Sequence, residues 1–154
     1  MKADAATDPI GRLKAWMHAE IPLTRHIDVR IAGYDQDTLT LLAPLAANSN
    51  HKGTAFGGSL FSLAVLAGWG LLALKLGERA LDAELVIQES HVEYLAPVRG
   101  DFSARASLPD ASEFERFVKM LERRGKARIR IAVLVTQGDT LAVKFDGTFA
   151  AART

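Results

Sequence analysis

The chain has 154 residues, 49% hydrophobic and 24% charged, with a formal net charge of +1 and no cysteine. That length suits one domain with a real core, and two full domains would be cramped. The small net charge supplies no field to gather nucleic acid or membrane. Absence of cysteine excludes a disulfide framework, thiol catalysis and cysteine-based zinc sites.

The opening residues, MKADAATDPI, lack the apolar core of a signal peptide, so a cytoplasmic protein is expected, with residues 1–7 as a flexible terminus. Asp8 and Pro9 suit the N-cap and first position of a helix in which Ile10, Leu13 and Met17 recur at helical spacing, and Pro22 ends it. Trp16 is expected to pack and His18 to face solvent. His26 to Ile31 and Thr38 to Ala43 alternate apolar and polar residues, predicting a hairpin turned at Gly33–Asp37. Pro44 leads out into an asparagine-bearing loop.

The stretch from Asn48 to Leu76, NSNHKGTAFGGSLFSLAVLAGWGLLALKL, organises the chain. Asparagine and glycine mark its start as a loop, and the apolar run beyond predicts a helix buried on most sides. Thr54 to Leu74 carries no charge and is long enough to span a bilayer. Four glycines (Gly57, Gly58, Gly68, Gly70), Ser59, Ser62 and the strand-like flanks favour a helix enclosed by a sheet.

After Gly77, expected as a C-cap, Ala83 to Leu95 predicts a long strand closed by Pro97, and Asp101 to Leu108 the next one. Ser112 to Glu115 suits a capping box, with Phe114, Phe117, Val118 and Leu121 at helical spacing and Gly125 as terminator. Lys126 to Thr136, a Gly138–Asp139 turn and Leu141 to Ala150 complete a last hairpin. An antiparallel sheet curling round one long helix is the economical α+β architecture.

This element order and central loop resemble the hotdog fold of acyl-thioester enzymes, many of which carry Asn-x-x-Gly-x-x-His-Gly-Gly before the helix. Asn50, Gly53, Phe56, Gly57 and Gly58 match that loop, and Glu93 to Val98 fits the long strand. The nearer likeness is to the C-terminal hotdog domain of YiiD-type acetyltransferases, assigned to thioesterases. That pattern is met by Asn48, Asn50, Lys52, Thr54, Phe56, Gly57, Gly58, Ser59 and Leu60, followed by Gly68-Trp69-Gly70. The resemblance spans about Leu23 to Ala150, and an acetyltransferase domain is not expected beside it.

Two departures stand out. Phe56 replaces the loop histidine, and Val65 falls where many thioesterases carry a helical aspartate. A hydrolase must activate water or supply a nucleophile, and neither residue can. What the loop retains is amides and a helix N-terminus, which suit stabilisation of an enolate or tetrahedral oxyanion. The resemblance therefore implies an enzyme on an acyl-CoA or acyl-carrier-protein thioester, with malonyl decarboxylation favoured by the residues and hydrolysis the alternative. A non-catalytic acyl-thioester binding module is the other reading. Asn48 or Asn50 would donate to the thioester carbonyl with the Gly57 or Gly58 N–H, and Thr54 would hold the substrate carboxylate. Phe56 and Ser59 would complete the substrate-binding loop, and no cofactor or metal is called for.

The remaining polar candidates have plain explanations. His51 suits a solvated loop, and Glu89, His91 and Glu93 share one strand face, better explained as a polar or dimer surface than as metal ligands. Trp69 suits helix packing, or the wall of an acyl pocket. Arg123, Arg124, Lys126, Arg128 and Arg130 form the one basic concentration. It is a solvated face, or else a contact for coenzyme A phosphates or an acidic carrier. The resemblance also implies a homodimer or dimer of dimers.

Overall fold

The computed structural model describes residues 8–154, so the expected flexible terminus lies outside the described residues. In chain order the elements are α1 (Pro9–Glu20), α2 (Leu23–His26), β1 (Arg30–Asp35), β2 (Thr38–Ala43), α3 (Gly57–Glu78), β3 (Ala83–Tyr94), β4 (Phe102–Ser107), α4 (Ala111–Arg124), β5 (Lys126–Gln137) and β6 (Thr140–Arg153). The strands form one antiparallel sheet in the order β1-β2-β4-β5-β6-β3.

The sheet wraps α3. Leu39, Leu41, Ala104, Ala106, Ile131, Val133 and Phe149 are all fully buried, as are Leu63, Ala67 and Leu71 of the helix. Two glycines permit the close approach. A Cβ on Gly68 would lie 2.8 Å from Cζ of Phe149, and one on Gly70 the same distance from Cδ2 of Leu39. Among the described residues α3 is the one helix long and apolar enough to cross a membrane, and its burial beneath the sheet accounts for that composition. α4 packs its Phe114, Phe117, Val118 and Leu121 stripe beside β5, closed by the left-handed Gly125 at φ 74°.

Four local expectations are corrected. His26, expected to open the first strand, instead ends a helical turn from Leu23, because the Thr24 hydroxyl donates to Met17 O (2.9 Å) or Ile21 O (2.7 Å) and folds the chain back. Ile27 and Val29 are still buried, so their alternation reported burial without strand pairing. β1 then begins at Arg30 and runs through Gly33, where the register shifts, leaving Gln36 and Asp37 to turn. Gly77 lies inside α3, and the chain leaves the helix through Ala80 at φ 53°. Asp110, not Ser112, caps α4: its carboxylate accepts from Glu113 N at 2.9 Å.

Candidate active site at the start of the central helix

Residues 48–56 fold into a miniature hairpin that delivers the chain to α3. Ser49 and Ala55 form an isolated bridge, and Phe56 N donates to Asn48 O at 2.8 Å. Its tip is a self-bonded turn. Asn50 N donates to Thr54 O (2.7 Å), Gly53 N donates to Asn50 O (3.1 Å), and Gly53 takes φ +75°, which glycine adopts without strain. Ala55 N donates to Val98 O at 2.8 Å, tying the loop to the β3–β4 connection.

The two asparagines have different surroundings. Asn48 is only 3% exposed, and its amide nitrogen donates to both Ile27 O (3.0 Å) and Pro44 O (2.8 Å). Both hydrogens are thus committed, and its Oδ1 is buried without a partner. A carbonyl oxygen cannot donate to another. Asn50 is half-buried, and its Oδ1 accepts from Lys52 N (2.8 Å) and Thr54 N (3.2 Å), an Asx-type closure of the turn. One hydrogen of its amide goes to Thr54 Oγ1 at 2.9 Å. The second hydrogen is uncommitted. Because Thr54 Oγ1 accepts from Asn50, the threonine's own hydrogen is also left to donate elsewhere.

Beyond the loop, α3 opens with its first N–H groups unsatisfied, as every helix does. Ser59 N is taken by Phe56 O at 2.9 Å and Leu60 N by the same oxygen at 3.1 Å. That leaves Gly57 and Gly58 as the free donors, at the positive end of a helix of 22 residues. Phe56 is 58% exposed and its ring lies across Gly58, where a Cβ would come within 2.4 Å of Cε2. Tyr94, at the end of β3, is 56% exposed and donates its hydroxyl to Gly57 O at 3.3 Å. Two aromatic rings therefore flank the two free amides. Sequence reasoning placed Tyr94 only within a matching string and gave it no role, since β3 and α3 are joined here by tertiary packing alone.

Other expected residues lie elsewhere. His51 is exposed, and Val65 is half-buried against the core. Glu89, His91 and Glu93 are exposed on β3, with His91 Nε2 3.4 Å from Glu93 Oε1, and no metal-holding cluster occurs among the described residues. Trp69 donates its indole N–H to Leu85 O (3.1 Å) and stacks on Trp16, centroids 4.8 Å apart. Trp16 packs as expected but remains 46% exposed, and His18 is half-buried with Nε2 3.4 Å from Val29 O rather than facing solvent. Arg123, Arg124, Lys126 and Arg128 are exposed at the end of α4 and start of β5, at the opposite end of α3 from the loop.

At that far end a polar clamp fixes the helix. Burial would raise the Glu78 carboxyl, but the Tyr34 hydroxyl and the Lys75 ammonium (3.0 Å) together hold it below its ordinary range. The Tyr34 hydroxyl is pushed upward by its own burial and by bonding to Glu78.

A bent antiparallel sheet around one long helix, entered by an Asn/Gly loop, defines a hotdog protein of the thioesterase superfamily. The chain belongs to the family described as "Putative thioesterase (yiiD_Cterm)", whose model matches residues 10–153. Among solved structures it is similar to a Chlorobaculum tepidum protein of unknown function, at 37% identity over 94% of both chains and a TM-score of 0.88. A Shewanella oneidensis protein described as a "putative thioesterase" shares 28% identity over 94% of this chain and 97% of that one, with a TM-score of 0.85. A Pseudomonas aeruginosa "probable thioesterase" has the same fold, with a TM-score of 0.80, 21% identity, and coverage of 94% of this chain and 95% of that one.

Proposed function

We propose that the protein is an enzyme that acts on the thioester of an acyl group carried by coenzyme A or an acyl carrier protein, and that its favoured reaction is decarboxylation of a malonyl thioester. One observation carries this reading: the Gly57 and Gly58 N–H groups are free at the start of α3, and the loop leading into it keeps uncommitted hydrogens on Asn50 and Thr54, while Phe56 and Val65 stand where a base would be expected.

The thioester carbonyl oxygen would accept from Gly57 or Gly58 and from Asn50, and the Thr54 hydroxyl would orient the substrate carboxylate. The bond between that carboxylate and the α-carbon breaks, and carbon dioxide leaves. The electron pair passes into an enolate whose oxygen the same donors hold, and solvent then protonates the α-carbon to give the acetyl thioester. Each well-placed donor of this kind contributes about 3 kcal/mol to such a transition state. No protein base is required. Asn48 holds the loop rather than the substrate, since both its hydrogens are spent.

Hydrolysis is the second reading, favoured by the family description. Here water adds to the carbonyl carbon and the thiol leaves. Incubation with malonyl-carrier protein and mass analysis separates the two: an intact acetyl-carrier is expected, whereas free carrier thiol with malonate indicates hydrolysis. An unchanged malonyl-carrier together with binding of it indicates a non-catalytic module.

The reading includes a homodimer formed through β3. This strand ends the sheet order, runs for 12 residues and exposes Val86 and Tyr94. An unpaired edge of that length is a template for another strand. A cytoplasmic setting, where carrier and coenzyme A thioesters are found, belongs to the same reading.

A further inference from the structure

β4 pairs only with Ala132 to Thr136 of β5, so the first half of β5, Lys126 to Ile131, has no strand on that side. α4 lies there instead. Between them runs a groove of about 390 Å³ bounded by Arg116, Met120, Arg128 and Arg130, with Glu113 the lone acidic residue on its wall. A second depression continues from Met120 and Arg128 past Lys126 to the outer face of β6 and β3. Arg116, Arg123, Arg124, Lys126 and Arg128 have no ion-pair partner among the described residues; of these five only Arg116 was passed over in the sequence. Met120 is 45% exposed in their midst. Where Arg79 pairs with Glu115 and Lys75 with Glu78, these neighbouring cations stay unneutralised around an apolar side chain.

We propose that this groove docks an acidic acyl-carrier protein, and that it serves the active site of the other subunit. The inference rests on the thioester function and on the β3 dimer put forward above. Charge complementarity supplies the partner's chemistry: a carrier presenting carboxylates with an apolar residue between them meets cations round a methionine. Distance assigns the subunit. Lys126 pairs with Ala152, and Ala152 with Glu84, so the groove lies level with the start of β3. Gly57 lies beside Tyr94, at the end of β3. From Glu84 to Tyr94 within one subunit is ten residues along the strand, roughly 33 Å at the usual rise. An antiparallel pairing centred on β3 brings Tyr94 of the partner subunit beside this subunit's Ala83. From there to β5 is three strand spacings, roughly 15 Å. A phosphopantetheine arm is about as long as five residues of extended chain, roughly 17 Å. It spans the second gap and not the first.

The test uses the full chain with Arg116→Glu and Arg128→Glu combined, both exposed positions, with circular dichroism to confirm folding. Turnover of a carrier-linked malonyl thioester is expected to fall at least tenfold through KM, while a short malonyl-pantetheine thioester is turned over as before. An equal loss on both substrates overturns carrier docking, and a loss confined to the coenzyme A thioester assigns the groove to nucleotide phosphates instead. If the parent chain turns over neither substrate, the thioester function itself has failed, a separate outcome. The subunit assignment is read from mixed dimers pairing the double variant with Asn50→Ala. Docking across the dimer leaves one working groove-and-site pair and about half the parent activity; docking within a subunit leaves none.

Discussion

At the scale of single residues, the two asparagines of the loop differ in what they can give. Asn50 retains a hydrogen for a substrate oxygen, so Asn50→Ala is expected to lower kcat about 100-fold, the usual effect of losing one oxyanion donor, along with some stability, since its side chain also closes the turn through Lys52 N and Thr54 N. Asn48→Ala strands the Ile27 and Pro44 carbonyls and is expected to cost about 1–3 kcal/mol of stability, read by denaturant titration. The sequence showed both residues as loop asparagines and could not rank them. Their difference comes from Ile27, 21 positions away, whose carbonyl reaches Asn48 only once α2 has turned the chain. The buried Oδ1 of Asn48 has no counterpart in any local pattern either.

At the scale of elements, α3 depends on glycine for its approach to the sheet. Gly68→Ala gains about 1 kcal/mol in helix propensity but drives a methyl into the buried Phe149 ring, and overpacking of this kind costs about 1–3 kcal/mol. A net fall in melting temperature is expected, and a rise would show that the core yields there. The far end of α3 is held by Tyr34 and Glu78. Tyr34→Phe is expected to cost roughly 1 kcal/mol at neutral pH, since the Glu78 side chain it bonds is about half exposed. Because the folded state depresses the Glu78 carboxyl, its contribution is present above the unfolded pKa and lost as pH falls through the folded one. The gap between the two proteins in urea melts should therefore close below the ordinary glutamate range. The long helix, β2, β4 and the last hairpin were legible because their apolar periods are unbroken and their ends carry Gly or Pro. The segment from Leu23 to Val29 was not. Its alternating apolar residues are buried by a helical turn and a left-handed Asp28 that period alone cannot signal. The α4 cap shifted by two residues because Asp110 and Ser112 both offer capping oxygens, and the Ser112 hydroxyl donates to Asp110 instead.

At the scale of the whole molecule, the sheet leaves β3 open along its length while α3 leaves two amides open at its start. A second copy on β3 would close the first and narrow the solvent round the second. Light scattering on the purified chain is expected to give two or four times the chain mass, and a monomer at micromolar concentration would contradict the dimer. Assembly was suggested in the sequence by likeness alone, because an edge strand and a central strand share the same alternation. The chemistry of the open amides is the claim on which the rest turns. It is tested most directly by titrating the labelled protein with a non-reactive malonyl-thioester analogue and following its backbone amide resonances. The Gly57 and Gly58 amide protons are expected to show the largest shifts, moving downfield as they bond the carbonyl oxygen. Saturable binding that leaves both resonances unmoved would contradict the account.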